Sequence, residues 1–163
     1  MQPDTLKIDV GEPGSIETTF VESEIPSITV EMGQAKVWNA SLIDRVYDFV
    51  NRVMDDLHIV PSNTSTAYTP DLSHTYIANT FHNSPSTYGG FVERLVQVDE
   101  PLTKGQPIAN IRNVFGDIIE TVLSPADGRM FQSPNDPSIE PGGSAGQIAY
   151  NSTDPECVDG CIF

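Results

Sequence analysis

Short apolar segments separated by Gly and Pro turns fill the second half of the chain, and they constrain its fold more than any other feature. From Tyr88-Gly89-Gly90 onward, each segment is brief and is bounded by turn residues, which is the pattern of β-strands. The segments are residues 91–98, 107–112, 118–123, 129–132 and 147–151. We therefore predict an all-β module over residues 88–152, followed by a tail at residues 153–163.

Two stretches of this module repeat one pattern. Residues 98–111 and residues 136–148 each contain a Pro-containing approach, a Gly turn and an apolar strand. Between them, Pro125 and Asp127-Gly128 fit a tight turn that leads into another strand. An internal duplication explains the repetition, and it predicts a small sandwich or half-barrel, a barrel-sandwich-like module.

An amphipathic helix is the clearest element of the first half of the chain. We predict it over residues 41–57, where apolar side chains recur at intervals of three and four: Leu42, Ile43, Val46, Tyr47, Val50, Val53, Met54 and Leu57. Asn39 or Ser41 can cap its start, with Asp44 as a nearby carboxylate. We expect this helix to pack against a sheet, and we predict a shorter helix at residues 15–24.

A strand is predicted directly before the long helix. The β-branched run Ile28-Thr29-Val30 lies between Pro26 and Gly33, which favours a short, largely buried strand with Glu31 at its carboxyl end. The residues alone leave two roles open for Glu31, a catalytic base and a helix-capping or salt-bridging glutamate. Residues 1–59 thus form an α/β part, and the Ser-, Thr-, Asn- and Pro-rich residues 60–87 form a linker with one short strand at residues 75–78.

The charge balance disfavours several partners. Asp and Glu total 23 against 8 Lys and Arg, and the net charge of −15 repels phosphate backbones and anionic lipids. We expect no nucleic acid partner. No run of about 18 apolar residues is present, so neither a membrane span nor a signal peptide is predicted.

Sequons and cysteines lean toward a secreted protein. Asn39, Asn63 and Asn151 each begin an Asn-x-Ser/Thr sequon, so the chain is a possible glycoprotein. Cys157 and Cys161 are the two cysteines, and a small disulfide ranks ahead of half a metal site or no role.

Other candidate chemistry is weak. The three histidines are His58, His74 and His82; a metal shared by His74 and His82 ranks below simple surface histidines, and Asp71 near His74 does not alter that. Barrel-sandwich domains can carry biotin or lipoate on a lysine at a hairpin tip, but Lys104 lies in the first repeat and the hairpin centre at residues 114–117 has no lysine. A carrier function is therefore not expected.

Several motifs together resemble the succinylglutamate desuccinylase and aspartoacylase family, relatives of the zinc carboxypeptidases. The matching pieces, spread over most of the chain, are Ile25-Pro26-Ser27-Ile28-Thr29-Val30-Glu31-Met32-Gly33, the helix at residues 41–57, Tyr88-Gly89-Gly90, Thr103-Lys104-Gly105-Gln106, Phe115-Gly116 and Ser124-Pro125-Ala126-Asp127-Gly128. The resemblance implies that residues 1–59 are a C-terminal remnant of a catalytic α/β domain. It also implies that Glu31 lies beside a zinc-bound water as general base.

The chain departs from the family pattern in its zinc ligands. The family binds zinc through a His-x-x-Glu pair and a later His, all upstream of the Glu-x-Gly strand, and no His precedes Glu31. The resemblance thus implies the C-terminal portion of a zinc-dependent deacylase or amidohydrolase that acts on an N-acyl amino acid or similar small molecule and is incompetent alone. It is a fragment, an incomplete gene model or an inactive remnant. Its expected partners are the missing N-terminal catalytic segment or further copies of itself. The alternative is a non-catalytic binding or scaffold module.

Overall fold

The structure is a computed structural model, and it describes residues 4–8, 14–60 and 71–157. Its helices are α1 Ile16–Glu22 and α2 Ala40–Asp56, with a 3-10 turn at Pro155–Cys157. Its strands are β1 Thr5–Lys7, β2 Tyr76–Ala78, β3 Thr80–Pro85, β4 Gly90–Arg94, β5 Pro101–Leu102, β6 Pro107–Arg112, β7 Ile118–Leu123, β8 Gly128–Gln132, β9 Ser138–Ile139 and β10 Ser144–Tyr150. The result is a mostly-β chain with two helices.

The chain divides into two compact units. One contains Thr29–Thr75, and the other contains Asp4–Ile28 and Tyr76–Phe163. None of the described helices is long and apolar enough to cross a membrane.

Helix α2 is the principal element of the first unit and confirms the helix predicted from the apolar stripe. The Asn39 side chain caps it, because Asn39 Oδ1 accepts a hydrogen bond from Leu42 N at 3.3 Å. Ser41 does not cap the helix but donates its hydroxyl to the same oxygen at 2.9 Å. Asp44 lies beyond the first turn, which has no acidic residue, so the predicted capping carboxylate is wrong.

The strand predicted at Ile28-Thr29-Val30 is not formed. Residues 25–32 have no regular structure, and Ile28 and Val30 are exposed. A strand exists only when another backbone completes its hydrogen-bond ladder, and none of the described strands pairs with this segment. For the same reason, the sheet against which α2 is predicted to pack is not among the described residues of its unit.

The second unit contains two four-stranded antiparallel sheets. Sheet I has the strand order β3-β10-β8-β5, and sheet II has the order β7-β6-β4-β9. The strands predicted in the β module are confirmed, with bounds that shift by a few residues. Strand β2, which was also predicted, pairs in parallel with β1, and helix α1 begins after its capping residue Ser15 as the predicted short helix.

One hydrophobic core joins the two sheets. Its fully buried large side chains include Ile108 and Ile111 from β6, Met130 from β8 and Ile148 from β10. Burial does not alternate strictly along these strands, because the neighbours Ile108 and Ala109 in β6 and Ile148 and Ala149 in β10 are all buried. The sheets stay separate, and no closed barrel is formed by the described strands, so the barrel-sandwich description is not confirmed.

The predicted duplication agrees with the chain's course through the sheets. In the first repeat, short β5 lies in sheet I, and a turn at Gly105 leads to long β6 in sheet II. In the second, short β9 lies in sheet II, and a turn at Gly142 leads to long β10 in sheet I. The two repeats therefore exchange sheets in opposite directions, which gives the module an internal two-fold pattern.

Strand β3 lies inside the segment predicted as a linker. Its sequence Thr-Phe-His-Asn-Ser-Pro is mostly polar, and it pairs only on one side, with β10, at the edge of sheet I. Edge strands need no apolar pattern on their solvent side, and they tolerate Pro. Because its composition is polar, β3 was not predicted from the sequence, and its pairing with β10 stabilises it as a strand.

Candidate catalytic carboxylate and its surroundings

Glu31 lies in the irregular segment that precedes α2, and its side chain is exposed. Within the described residues its carboxylate has neither a hydrogen bond nor an ion pair. The capping or salt-bridging role that the sequence left open therefore has no support among these residues. An unengaged carboxylate remains able to accept a proton from a bound water.

A glycine turn fixes the path of the chain directly after Glu31. Gly33 has φ of +62°, and a Cβ atom at this position would lie 2.8 Å from Leu42 Cδ1 in the first turn of α2. The left-handed backbone therefore favours glycine, and a Cβ atom here would in addition force the flexible Leu42 side chain to shift. The Glu-x-Gly spacing therefore places the Glu31 carboxylate two residues before the glycine turn that precedes α2.

The histidines form no metal site in the described structure. His58 follows α2 with φ of +56°, and His82 places Nδ1 2.6 Å from the carbonyl oxygen of Asn83. Across residues 4–8, 14–60 and 71–157, no group of three or more His, Cys, Asp or Glu side chains is placed to hold a metal ion. A zinc hydrolase site needs three protein ligands, so these residues do not fit zinc.

A half-buried carboxylate in the β module was not predicted from the sequence. Glu120 on β7 accepts hydrogen bonds from Thr87 N at 2.9 Å and Tyr88 N at 3.1 Å. Burial raises the pKa of Glu120, but these backbone hydrogen bonds outweigh that effect, and the net pKa lies below the ordinary value of 4.5. Glu120 therefore fastens the loop before β4 to sheet II; it is structural and shows no catalytic feature.

The hairpin between β6 and β7 has an exposed apolar tip. Val114 and Phe115 are 78% and 85% exposed. Asn113 Oδ1 accepts from Phe115 N at 2.9 Å and from Asp117 N at 3.0 Å, and these hydrogen bonds stabilise the turn. The tip thus lies where the sequence placed the hairpin centre, while Lys104 lies in another turn, with its backbone N–H bonded to Asp127.

A small polar cavity lies on sheet I. It has a volume of about 150 Å³, and no charged side chain lines it; its lining includes Asn83, Gln132, Asn135, Ser144 and Gln147. Gln147 Nε2 donates to Asn83 Oδ1 at 3.2 Å across it. Its lining includes the hydroxyls of Ser133 and Ser144 but no His, Asp, Glu or Lys side chain that could act as an acid or base beside them.

The features that favour secretion are only partly described. Cys157 is fully buried and its sulfur is in a disulfide, whereas Cys161, the predicted partner, lies outside the described residues. Asn39 and Asn151 are exposed, and Asn151 Nδ2 donates to Ile77 O at 2.9 Å. Asn63 also lies outside the described residues, and glycosylation and secretion stay predictions.

No protein-family model matches the sequence, and no curated protein matches it. Solved structures with a similar fold do exist. The ectoine utilization protein EutE (DoeB) from Ruegeria pomeroyi matches with a TM-score of 0.73 and 15% identity over 91% of this chain and 47% of its own. A succinylglutamate desuccinylase/aspartoacylase from Rhodobacter sphaeroides matches with a TM-score of 0.67 and 14% identity over 92% of this chain and 46% of its own.

A succinylglutamate desuccinylase from a Silicibacter species gives the same picture, with a TM-score of 0.67 and 16% identity over 91% of this chain and 46% of that one. The expected likeness to the C-terminal part of this fold is thereby confirmed, whereas the barrel-sandwich description is not. The chain spans 46–47% of the length of these three proteins.

Proposed function

We propose that this chain is the C-terminal portion of a zinc-dependent deacylase that hydrolyses the amide bond of an N-acyl amino acid or a similar small molecule. The fold shared with desuccinylase/aspartoacylase structures supports the reaction class. The observation that carries the proposal for this chain's own residues is the unengaged carboxylate of Glu31, two residues before the Gly33 turn.

Glu31 has one task in this proposal. Its carboxylate accepts a proton from the water that attacks the amide carbon, and the same carboxyl group then returns that proton to the departing nitrogen. The carbon–nitrogen bond breaks, and a carboxylic acid and a free amine result. The described residues do not hold zinc. In the proposal its ligands belong to polypeptide beyond these residues.

The β module supplies no reacting group in this proposal. Its role is to shape access to the reacting amide. No observation favours the alternative, a non-catalytic scaffold module, over the deacylase proposal. Localisation outside the cell and the absence of nucleic acid partners remain predictions from the sequence.

The test uses the protein purified from its own cells together with any polypeptide that accompanies it. We expect hydrolysis of an N-acetyl or N-succinyl amino acid, with Glu31→Gln lowering kcat at least 100-fold because base catalysis typically contributes about 10²–10⁴-fold. KM should change little. The matched control is Glu22→Gln, an exposed glutamate at the end of α1, which should leave kcat unchanged.

Two results would contradict the proposal. One is hydrolysis that survives Glu31→Gln at the original rate, and the other is no amide hydrolysis by the purified native protein. The recombinant 163-residue chain gives a separate check, since we expect it neither to bind stoichiometric zinc nor to turn over substrate. If it did both, the chain would contain the complete site.

A further inference from the structure

We propose that the polar cavity on sheet I binds one neutral sugar ring. The site, named here the amide pocket, is built around the side-chain amides of Asn83, Gln132, Asn135 and Gln147. It belongs to the unit that contains the β module, whereas Glu31 belongs to the other unit. The inference therefore does not rest on the proposed catalytic role of Glu31.

Irregular pairing of β10 brings three of these amides into one row. The register of β10 shifts between Ser144 and Gln147 against β3, and between Gln147 and Ile148 against β8. Irregularities of this kind bend a strand and change the direction of its side chains, often beside functional sites. Gln147 pairs with Asn83 on one side and with Gln132 on the other. The row therefore crosses three neighbouring strands.

The amides of the pocket have unused hydrogen-bonding capacity. Gln147 Nε2 donates to Asn83 Oδ1 at 3.2 Å, and within the described residues the four side-chain amides make no other hydrogen bond. Gln147 Oε1 remains as an acceptor and Asn83 Nδ2 as a donor. A hydroxyl group donates and accepts at one atom, so neighbouring hydroxyls match an array of alternating amide donors and acceptors. The pocket is therefore suited to a ligand with several hydroxyls.

The charge of the surroundings selects a neutral ligand. No charged side chain lines the cavity, so a carboxylate, phosphate or ammonium group of a ligand would find no opposite charge there. Removing an unpaired charge from water is costly. The net charge of −15 repels anions in addition. Uronic acids, sugar phosphates and amino sugars with a free ammonium group are therefore disfavoured.

Two aromatic rings lie beside the amide row. Phe81 precedes Asn83 by two residues, which places both side chains on the same face of β3, and Phe131 directly precedes Gln132. The two rings stack with their centroids 4.4 Å apart, and both are only partly buried. Aromatic rings offer apolar contact area to a ligand. A sugar ring has hydroxyls at its edge and C–H groups on its faces, so it can use the amides and this apolar area together.

The volume of the pocket limits the ligand to one ring. The cavity measures about 150 Å³. One water-sized group needs about 10–15 Å³ of such volume, so the pocket accommodates roughly ten, which is about the size of one sugar ring with its hydroxyls. A ligand this small in an open polar pocket binds weakly, and we expect a dissociation constant of about 1 mM.

The test is an NMR titration of the nitrogen-15-labelled 163-residue chain. The ligands are the methyl glycosides of D-glucose, D-galactose, D-mannose and N-acetyl-D-glucosamine. We expect at least one of them to shift the side-chain amide signals of Asn83, Gln132 and Gln147, with half-saturation at about 1 mM. The ligand control is the uronate of the same sugar. It should bind at least about 10-fold more weakly, because its carboxylate has no cation to pair with.

Two variants test the amide row. Gln147→Ala and Gln132→Ala each remove one amide and should weaken sugar binding at least about 10-fold. Gln132 is exposed at the end of β8, so its variant keeps the test decisive if Gln147→Ala does not fold. The matched control is Gln97→Ala, an exposed glutamine outside the lining, which should leave the affinity unchanged. The backbone amide signals of each variant verify that the β module is folded.

Four results would overturn the inference: no saturable shift with any of the four sugars, shifts confined to residues outside the pocket, undiminished affinity in a folded Gln132→Ala or Gln147→Ala chain, or binding of the uronate as tight as that of the neutral sugar. The experiment does not measure amide hydrolysis. Failure of sugar binding would therefore leave the proposed role of Glu31 untouched, and loss of hydrolysis in Glu31→Gln would leave the amide pocket untouched.

Discussion

Gly33 and Leu42 approach so closely that a Cβ atom on Gly33 would lie 2.8 Å from Leu42 Cδ1. The turn after Glu31 and the first turn of α2 are thus packed against each other. Leu42 is also the residue whose N–H is capped by Asn39. The position of the candidate catalytic carboxylate is therefore linked to the start of the helix through one glycine.

Gly33→Ala should loosen this turn. Its φ of +62° costs a non-glycine residue about 1–2 kcal/mol, and the Leu42 side chain must also move. We expect faster amide hydrogen exchange in residues 33–42, measured by mass spectrometry. Leu42→Ala in the same chain should recover the steric part only. Unchanged exchange in Gly33→Ala would mean that this turn is not under constraint.

Gly128→Ala should destabilise the β module more than an alanine at Gly105, a turn position with open space around it. A Cβ at Gly128 on β8 would collide with the carbonyl oxygen of Ala149, as one at Gly90 on β4 would with that of Arg112. Forcing atoms into filled space costs about 1–3 kcal/mol. The comparison is Gly105→Ala, where open space leaves only the left-handed backbone cost. Urea denaturation measures both, and equal losses would contradict the collision.

Glu120→Gln should lower stability in a pH-dependent way. Because the pKa of Glu120 lies below its ordinary 4.5 in the folded chain, ionised Glu120 stabilises the fold above that value. This contribution is lost as pH falls through the lower, folded pKa. After allowance for partial solvent exposure we expect a loss of about 1 kcal/mol at pH 7, and a smaller one below pH 4. A difference independent of pH, in denaturation at several pH values, would argue against the charged hydrogen bonds to Thr87 and Tyr88.

Two variants at the tip of the β6–β7 hairpin should differ in stability, because one removes hydrogen bonds of the turn and the other changes an exposed side chain. Asn113→Ala removes the acceptor of two backbone N–H groups and should cost about 1–2 kcal/mol in denaturant. Phe115→Ser, at a side chain that is almost fully exposed, should change stability by less than about 0.5 kcal/mol. A large loss in Phe115→Ser would reveal a contact that the structure does not contain.

The sequence predicted those elements whose pattern is local. The period of α2, the cap at Asn39 and the turn-bounded strands are encoded within a few neighbouring residues. The structure differs from the prediction where secondary structure depends on residues distant in sequence. Segment β3 is a strand because it pairs with β10. Residues 28–30 form no strand, because none of the described strands pairs with them.

The candidate site likewise has features that a local motif predicts and features that depend on contacts between residues distant in sequence. Glu31 and Gly33 were recognisable as a motif, and the structure adds the reason for the glycine. The hydrogen bonds of Glu120 to Thr87 and Tyr88 were not predictable, because they join residues more than thirty positions apart that only the folded sheet brings together.

The pairing of β3 with β10 has a consequence for how the β module joins the rest of a polypeptide. Thr80, where β3 begins, is paired with Tyr150, where β10 ends, so the chain enters and leaves the two four-stranded sheets at neighbouring points. Adjacent antiparallel strands lie about 5 Å apart. A module of this kind can be inserted into a surface loop of a host domain, or removed from it, without separating the two ends that the host must rejoin.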